Sequence, residues 1–213
     1  LASYFEDREG LMRLAKEKNG RFGQLPYLAP LLLMWGFCMV LLVWQQDLGA
    51  ATLFFIVFLA LLYMATGDWR YLLGGSGLLL LGGVVAYFIF DRIALRVDIW
   101  LNPWPEFNDR AFQVVQSLYA VANGGLFGQG IGQGYPDFVP VVHSDFAFAA
   151  VAEEWGLIGA ITVVACFVLL AHRGFRIAAR AKRPFRLYLA AGITILFSAQ
   201  ALLIMGGVRV SID

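Results

Sequence analysis

Charge is what this chain has least of. Asp, Glu, Lys and Arg together supply 15% of its 213 residues, against about 25% in a soluble domain. That scarcity excludes a water-facing globule, whose helices need charged outer faces. Cysteine is nearly absent. Cys38 and Cys166 lie in separate apolar stretches with neither a disulfide framework nor a metal-site spacing, so both read as small packing residues. The net charge of +1 identifies no partner by itself, and no nucleic acid is expected. No signal peptide, with its basic start and small-residue cleavage site, is expected. The chain opens on Leu1 and stops at Asp213, and the expectation is a fragment of a longer membrane protein.

What it has in excess is apolar sequence. Hydrophobic residues make up 60% of the chain, above the roughly 45–50% of soluble domains. The runs Pro26 to Trp44, Leu48 to Gly67, Tyr71 to Phe90, Trp155 to Ala171 and Leu187 to Val208 are apolar all round. Each is long enough, or nearly so, to cross a bilayer core of about 30 Å. Backbone groups in lipid must bond within their own segment, which makes helices the default. The expected fold class is therefore all-α: a single polytopic helical membrane domain, with spans at 26–44, 48–67, 71–90, 145–171 and 187–208.

Basic residues mark the cytoplasmic side of such a protein. Arg8, Arg13, Lys16, Lys18 and Arg21 precede the first span, and Arg173, Arg176, Arg180, Lys182, Arg183 and Arg186 separate the last two. Residues 1–25 are thus expected as a cytoplasmic loop, and alternation puts residues 91–144 outside as a large extracytoplasmic loop. A connection that long is uncommon unless it has a function. Its many aromatic residues suit the headgroup level. Within it, Ala111 to Ala122 has helical apolar spacing and reads as an interfacial or re-entrant helix, ended by Asn123-Gly124-Gly125.

The densest polar chemistry lies between Gly124 and Gly159. The run GGLFGQGIGQG lacks the preceding strand and the Lys-Ser/Thr pair of a phosphate loop. It reads either as a flexible connector or as a site of close backbone approach to a ligand or of hinge motion, with glycine leaving amides accessible. Next come PDFVPVVHSDF and AFAAVAEEWGLIG. Asp145, Glu153 and Glu154 therefore stand at or inside a membrane-grade helix, where a charge costs about 2.5–3.5 kcal/mol and usually faces a cavity or partner. Ser144 or Asp145 could serve simply as a helix N-cap. On an unbroken helix Glu153 lies roughly 12 Å below Asp145 on a similar face, with Glu154 near the opposite one. Glu154 also suits a purely structural bond to a neighbouring helix.

The order QQDLGAATLFF, RVDIWLNPW, FQVVQSLYAVANGGLFGQGIGQG, HSDFAFAAVAEEWGLIG resembles the SEDS family (shape, elongation, division and sporulation proteins). The resemblance runs from Trp44 to Gly159. It implies a multi-pass peptidoglycan glycosyltransferase of the bacterial inner membrane, represented here by roughly its fifth to ninth transmembrane helices. The implied substrate is lipid II, polymerised on the extracytoplasmic face, and the implied partner is a class B penicillin-binding protein. The family's essential acid falls on Asp145 and a second important acid on Asp137, while its Glu-Glu pair and following glycine fall on Glu153, Glu154 and Gly156. Val141-Val142, Ser144, Gln46 and Asn102 depart from the family pattern, and none of these changes removes Asp145.

Inverting transfer from an α-linked diphosphate requires a carboxylate base, the role assigned to Asp145. Arg96 and Arg110, with Arg92 a weaker third, suit the leaving diphosphate, as they would lipid headgroups. Asp137 and His143 join them as substrate-binding candidates, and Gln116, Glu153 and Glu154 as supporting residues. A divalent cation, Mg or Mn, is a candidate to share the diphosphate charge. No protein-only metal site is expected. Two other readings fit the same residues: a flippase or transporter of lipid-linked precursor, and a non-catalytic cell-wall scaffold. The sequence does not separate elongation, division and sporulation roles.

Overall fold

The structure, a computed structural model, describes residues 1–19, 25–44, 48–102, 104–106, 111–133 and 147–207. Among them are eight α-helices and no strand. They are α1 (Ala2–Asn19), α2 (Leu25–Trp44), α3 (Leu48–Thr66), α4 (Trp69–Ile89), α5 (Asp91–Leu101), α6 (Phe112–Gly124), α7 (Ala147–Ala179) and α8 (Pro184–Gly207), with a short 3-10 turn at Trp104–Glu106. Helices α3, α4, α7 and α8 are long and apolar enough to cross a bilayer, and α2 is apolar over Pro26–Val40. The chain is a multi-pass helical membrane protein. Helix α4 carries no buried residue, as lipid contact allows where water would not.

The expected runs 26–44, 48–67, 71–90, 145–171 and 187–208 overlap α2, α3, α4, α7 and α8, with residues 145–146 and 208 outside the described residues. Helix α7 continues past residue 171 to Ala179 and closes with Arg176 in its last turn, where a cation offsets the negative end of the helix dipole. Residues 1–25, expected as a loop, contain α1. Residues 91–144 contain α5 besides the helix expected at 111–122, which is α6 and stops at the expected Asn-Gly-Gly.

Two compact units divide the chain, Leu1–Leu80 with Leu170–Ala199, and Leu81–Leu169 with Gln200–Asp213. In the first, Phe5, Leu28, Leu31, Phe58, Leu61, Leu62, Ala65 and Tyr188 form the core. Phe5 on α1 meets Tyr188 with ring centroids 5.6 Å apart, and Trp35 stacks on Phe58 at 4.7 Å. Helices α3 and α4 are joined by a tight turn. Gly67 closes α3 by donating to Tyr63 O at 2.8 Å, and the Asp68 carboxylate caps α4 by accepting from the Arg70 N–H at 3.1 Å.

Helices in lipid associate through small residues that let backbones approach. Gly174 on α7 lies so close to Thr194 on α8 that a Cβ there would overlap the threonine side chain. The Thr194 hydroxyl already donates to Ala190 O at 2.7 Å, so removing it strands no partner. Gly174→Ala should therefore destabilise by about 1–3 kcal/mol through overpacking. Gly174→Ala combined with Thr194→Ala should recover most of that loss, read as melting temperature in detergent. Additive losses would refute the contact.

Candidate functional site

The second unit carries the polar chemistry. Its helix α5 follows α4 through Phe90, an extended residue, and Asp91 in its first turn complements the helix dipole. Two bonds hold it: Tyr87 Oη donates to Asp98 Oδ1 at 2.9 Å, and Trp100 Nε1 donates to Gly206 O at 3.2 Å. Ile93 is its buried residue. Arg92 and Arg96, one turn apart, are both exposed, which leaves two guanidinium groups facing outward from a helix held near its C-terminal end.

Helix α6 packs its small residues against the first turns of α7. Ala120 and Ala149 are buried together, flanked by Val114, Val121, Phe148 and Ala150. Gln116 is half-buried on α6, and the Trp104 and Tyr119 rings lie 6.5 Å apart. At its end α6 comes into backbone contact with α7: a Cβ on Gly124 would stand 2.9 Å from the Ala152 carbonyl carbon and closer still to its oxygen.

That contact opens onto a break in α7. Gly156, with φ 66° and ψ −163°, interrupts the helix. In an unbroken helix the N–H of Leu157 would bond Glu153 O, and that of Ile158 would bond Glu154 O. Both rungs are absent, and the glycine turn after α6 fills them. Leu157 N donates to Gly125 O at 2.9 Å and Ile158 N to Leu126 O at 3.4 Å, while Gln129 N donates to Glu153 O at 3.0 Å and Gly130 N to Glu154 O at 3.1 Å. All four orphaned groups find partners, as they must at membrane depth, where an unsatisfied backbone group costs several kcal/mol.

The turn can lie this close because it lacks side chains. A Cβ on Gly128, at φ 80°, would stand 2.7 Å from Gly156 N, and one on Gly156 would stand 2.6 Å from Leu126 O. The sequence left the glycine run open between connector, hinge and close backbone approach. The close approach found is to the backbone of α7, where the sequence reading expected a ligand.

The two glutamates separate. Glu153 is buried, with 5% of its surface exposed. Glu154 is half-buried, and its Oε1 accepts the Gly132 N–H at 3.2 Å. The structural bond expected of Glu154 thus goes to the glycine turn and not to a neighbouring helix.

Asp145, Asp137, His143 and Arg110 lie outside the described residues. Of the other expected site residues, Glu153 and Glu154 stand beside the α7 break, Gln116 is on α6 and Arg96 is on α5. Among the described residues no three His, Cys, Asp or Glu side chains gather as a cation site. Sequence reasoning named Gly124 as a helix stop and Gly156 as a family match without the close approach they make, and paired neither Tyr87 with Asp98 nor Trp100 with Gly206. The pairing of GGLFG with a lone glycine after Glu-Glu-Trp was the signal available for the first two.

A family model described as cell cycle protein, covering FtsW, RodA and SpoVE, matches residues 2–211. The chain is 39% identical over 181 residues to the peptidoglycan glycosyltransferase RodA of Mycobacterium tuberculosis, covering 85% of this chain and 39% of that protein. It is 38% identical over 183 residues to the probable peptidoglycan glycosyltransferase FtsW of Geobacter metallireducens, covering 84% of this chain and 48% of that one. The chain spans less than half the length of these relatives.

Proposed function

The chain belongs to the FtsW, RodA and SpoVE family of cell cycle proteins, and on that premise we propose that it is part of a peptidoglycan glycosyltransferase polymerising lipid II. The observation that carries this reading is its likeness to relatives named for that activity. In the proposed reaction the acceptor hydroxyl attacks the anomeric carbon of the donor sugar, and the diphosphate leaves from the opposite side with inversion. Asp145 takes the hydroxyl proton as general base. Arg96 and Arg110, aided by Arg92, meet the leaving diphosphate with forked donors. A divalent cation, when bound, would supply further charge there. Asp137 and His143 bind substrate, and Gln116, Glu153 and Glu154 support them.

The charge asymmetry of the flanking segments supports an assignment of this chemistry to the extracytoplasmic boundary of the inner membrane. A class B penicillin-binding protein is the proposed partner, since strands made there need crosslinking.

The break in α7 favours a second reading, a carrier for lipid-linked precursor, because carriers build sites from interrupted helices. Such sites pair two broken helices, whereas among the described residues the break falls in α7. The full-length protein with its partner, given lipid II, is expected to yield glycan strands. Lipid II moved across the bilayer and left unpolymerised would instead support the carrier.

A further inference from the structure

We propose that Glu154 is a positioning residue, whose carboxylate holds the Gly132 amide and so fixes one end of the run that leads to Asp145. The inference rests on the glycosyltransferase reading above. The α7 break explains why backbone groups from Gly125 to Gly130 must bond α7. It does not require the bond that follows, from Gly132 N to Glu154 Oε1 at 3.2 Å. Glu154 thus clamps the turn twice, its carbonyl on Gly130 and its carboxylate on Gly132. A leucine or methionine would fill a half-buried place on an apolar helix without desolvating a carboxylate. What only the acid or its amide supplies is an acceptor aimed at the second amide.

The place of that clamp gives it consequence. Gly132 is held by Glu154, and Ala147 begins α7 seven residues before Glu154. The described residues Gly132 and Ala147 are therefore both tied to α7, at points about 10 Å apart along its axis at 1.5 Å per residue. The Ala147 end is seated by Ala149, which is fully buried against α6. The Gly132 end has the Glu154 carboxylate. Asp137, His143 and Asp145 fall within that stretch. A displacement of about 1 Å at a reacting group can cost about 10²-fold in rate, so slack at the Gly132 anchor is expected to appear in turnover before it appears in binding.

The experiment compares Glu154→Ala, Glu154→Gln and Glu154→Asp in the full-length protein with its partner. Each is read by lipid II polymerisation kinetics and by hydrogen exchange of the Gly132 amide. Glu154→Ala is expected to lower kcat about 10–100-fold with KM changed less than about threefold, and to speed exchange at Gly132. Glu154→Gln keeps an acceptor and should restore both. Glu154→Asp, one methylene shorter, should fall between. The proposal is overturned if Glu154→Ala keeps the wild-type kcat, if Glu154→Gln behaves like Glu154→Ala, or if Gly132 exchange is unchanged. Should Glu154→Ala fail to fold, the ordering of the Gln and Asp variants decides. A wild-type protein that makes no polymer would refute the glycosyltransferase reading, while Gly132 exchange would still test the clamp.

Discussion

Asp145→Asn in the full-length protein is expected to lower lipid II polymerisation by about 10²–10⁴-fold, the usual contribution of a positioned general base. Asparagine matches the size and hydrogen-bonding reach of the acid and removes its ability to take a proton. Melting temperature and partner binding should therefore stay close to wild type. Asp145→Glu keeps the base and shifts it by one methylene, so its rate should lie between the two. Arg96→Ala tests the other side of the reaction. It removes one exposed guanidinium from α5 and should weaken use of the diphosphate donor without disturbing the Tyr87–Asp98 and Trp100–Gly206 bonds that hold the helix. A wild-type rate in Asp145→Asn would remove the proposed base.

The second large effect concerns folding. Gly128→Ala should abolish the native arrangement of the second unit. Its Cβ would enter the backbone of α7 beside Gly156 N, and φ 80° adds the left-handed penalty of about 1–2 kcal/mol. Relieving the overlap means moving the turn off α7. That would expose the N–H groups of Leu157 and Ile158 and the carbonyls of Glu153 and Glu154, at several kcal/mol each in an apolar setting. Gly132→Ala is the control. It has φ 71° with nothing within 4 Å of a Cβ, so it should carry the conformational penalty alone. Gly124→Ala separates the terms the other way, since it meets Ala152 without a left-handed φ. Thermal unfolding of the full-length variants should rank Gly132→Ala mildest and Gly128→Ala most severe. Equal losses at Gly128 and Gly132 would mean that the turn does not bridge the break.

The long spans were legible because lipid reduces the requirement for a helix to length and uniform apolarity, which α3, α4 and α8 meet without help from the rest of the chain. Helix α6 was legible too, since its apolar spacing and its Asn-Gly-Gly stop are local signals. Helix α5 was not. Eleven residues starting Asp-Arg leave a short amphipathic segment that resembles loop, and what holds it, Tyr87 and Gly206, lies outside it. The break at Gly156 was hidden for a similar reason. One glycine in a helix costs only about 1 kcal/mol relative to alanine, so nothing local demands an interruption. The interruption exists because a turn 26 to 31 residues upstream supplies the missing hydrogen-bond partners. Glu154 was readable as structural, but its partner was not. Asp145 became visible through resemblance and through the cost of an acid at that depth, neither of which states what surrounds it.

Sealed vesicles holding the full-length protein and its partner, with labelled lipid II in the leaflet that corresponds to the cell exterior, test the central claim most directly. The wild type is expected to convert that lipid II into glycan strands that a muramidase degrades, and Asp145→Asn is expected to leave it monomeric. Lipid II crossing to the opposite leaflet with no glycan formed by the wild type would contradict the account.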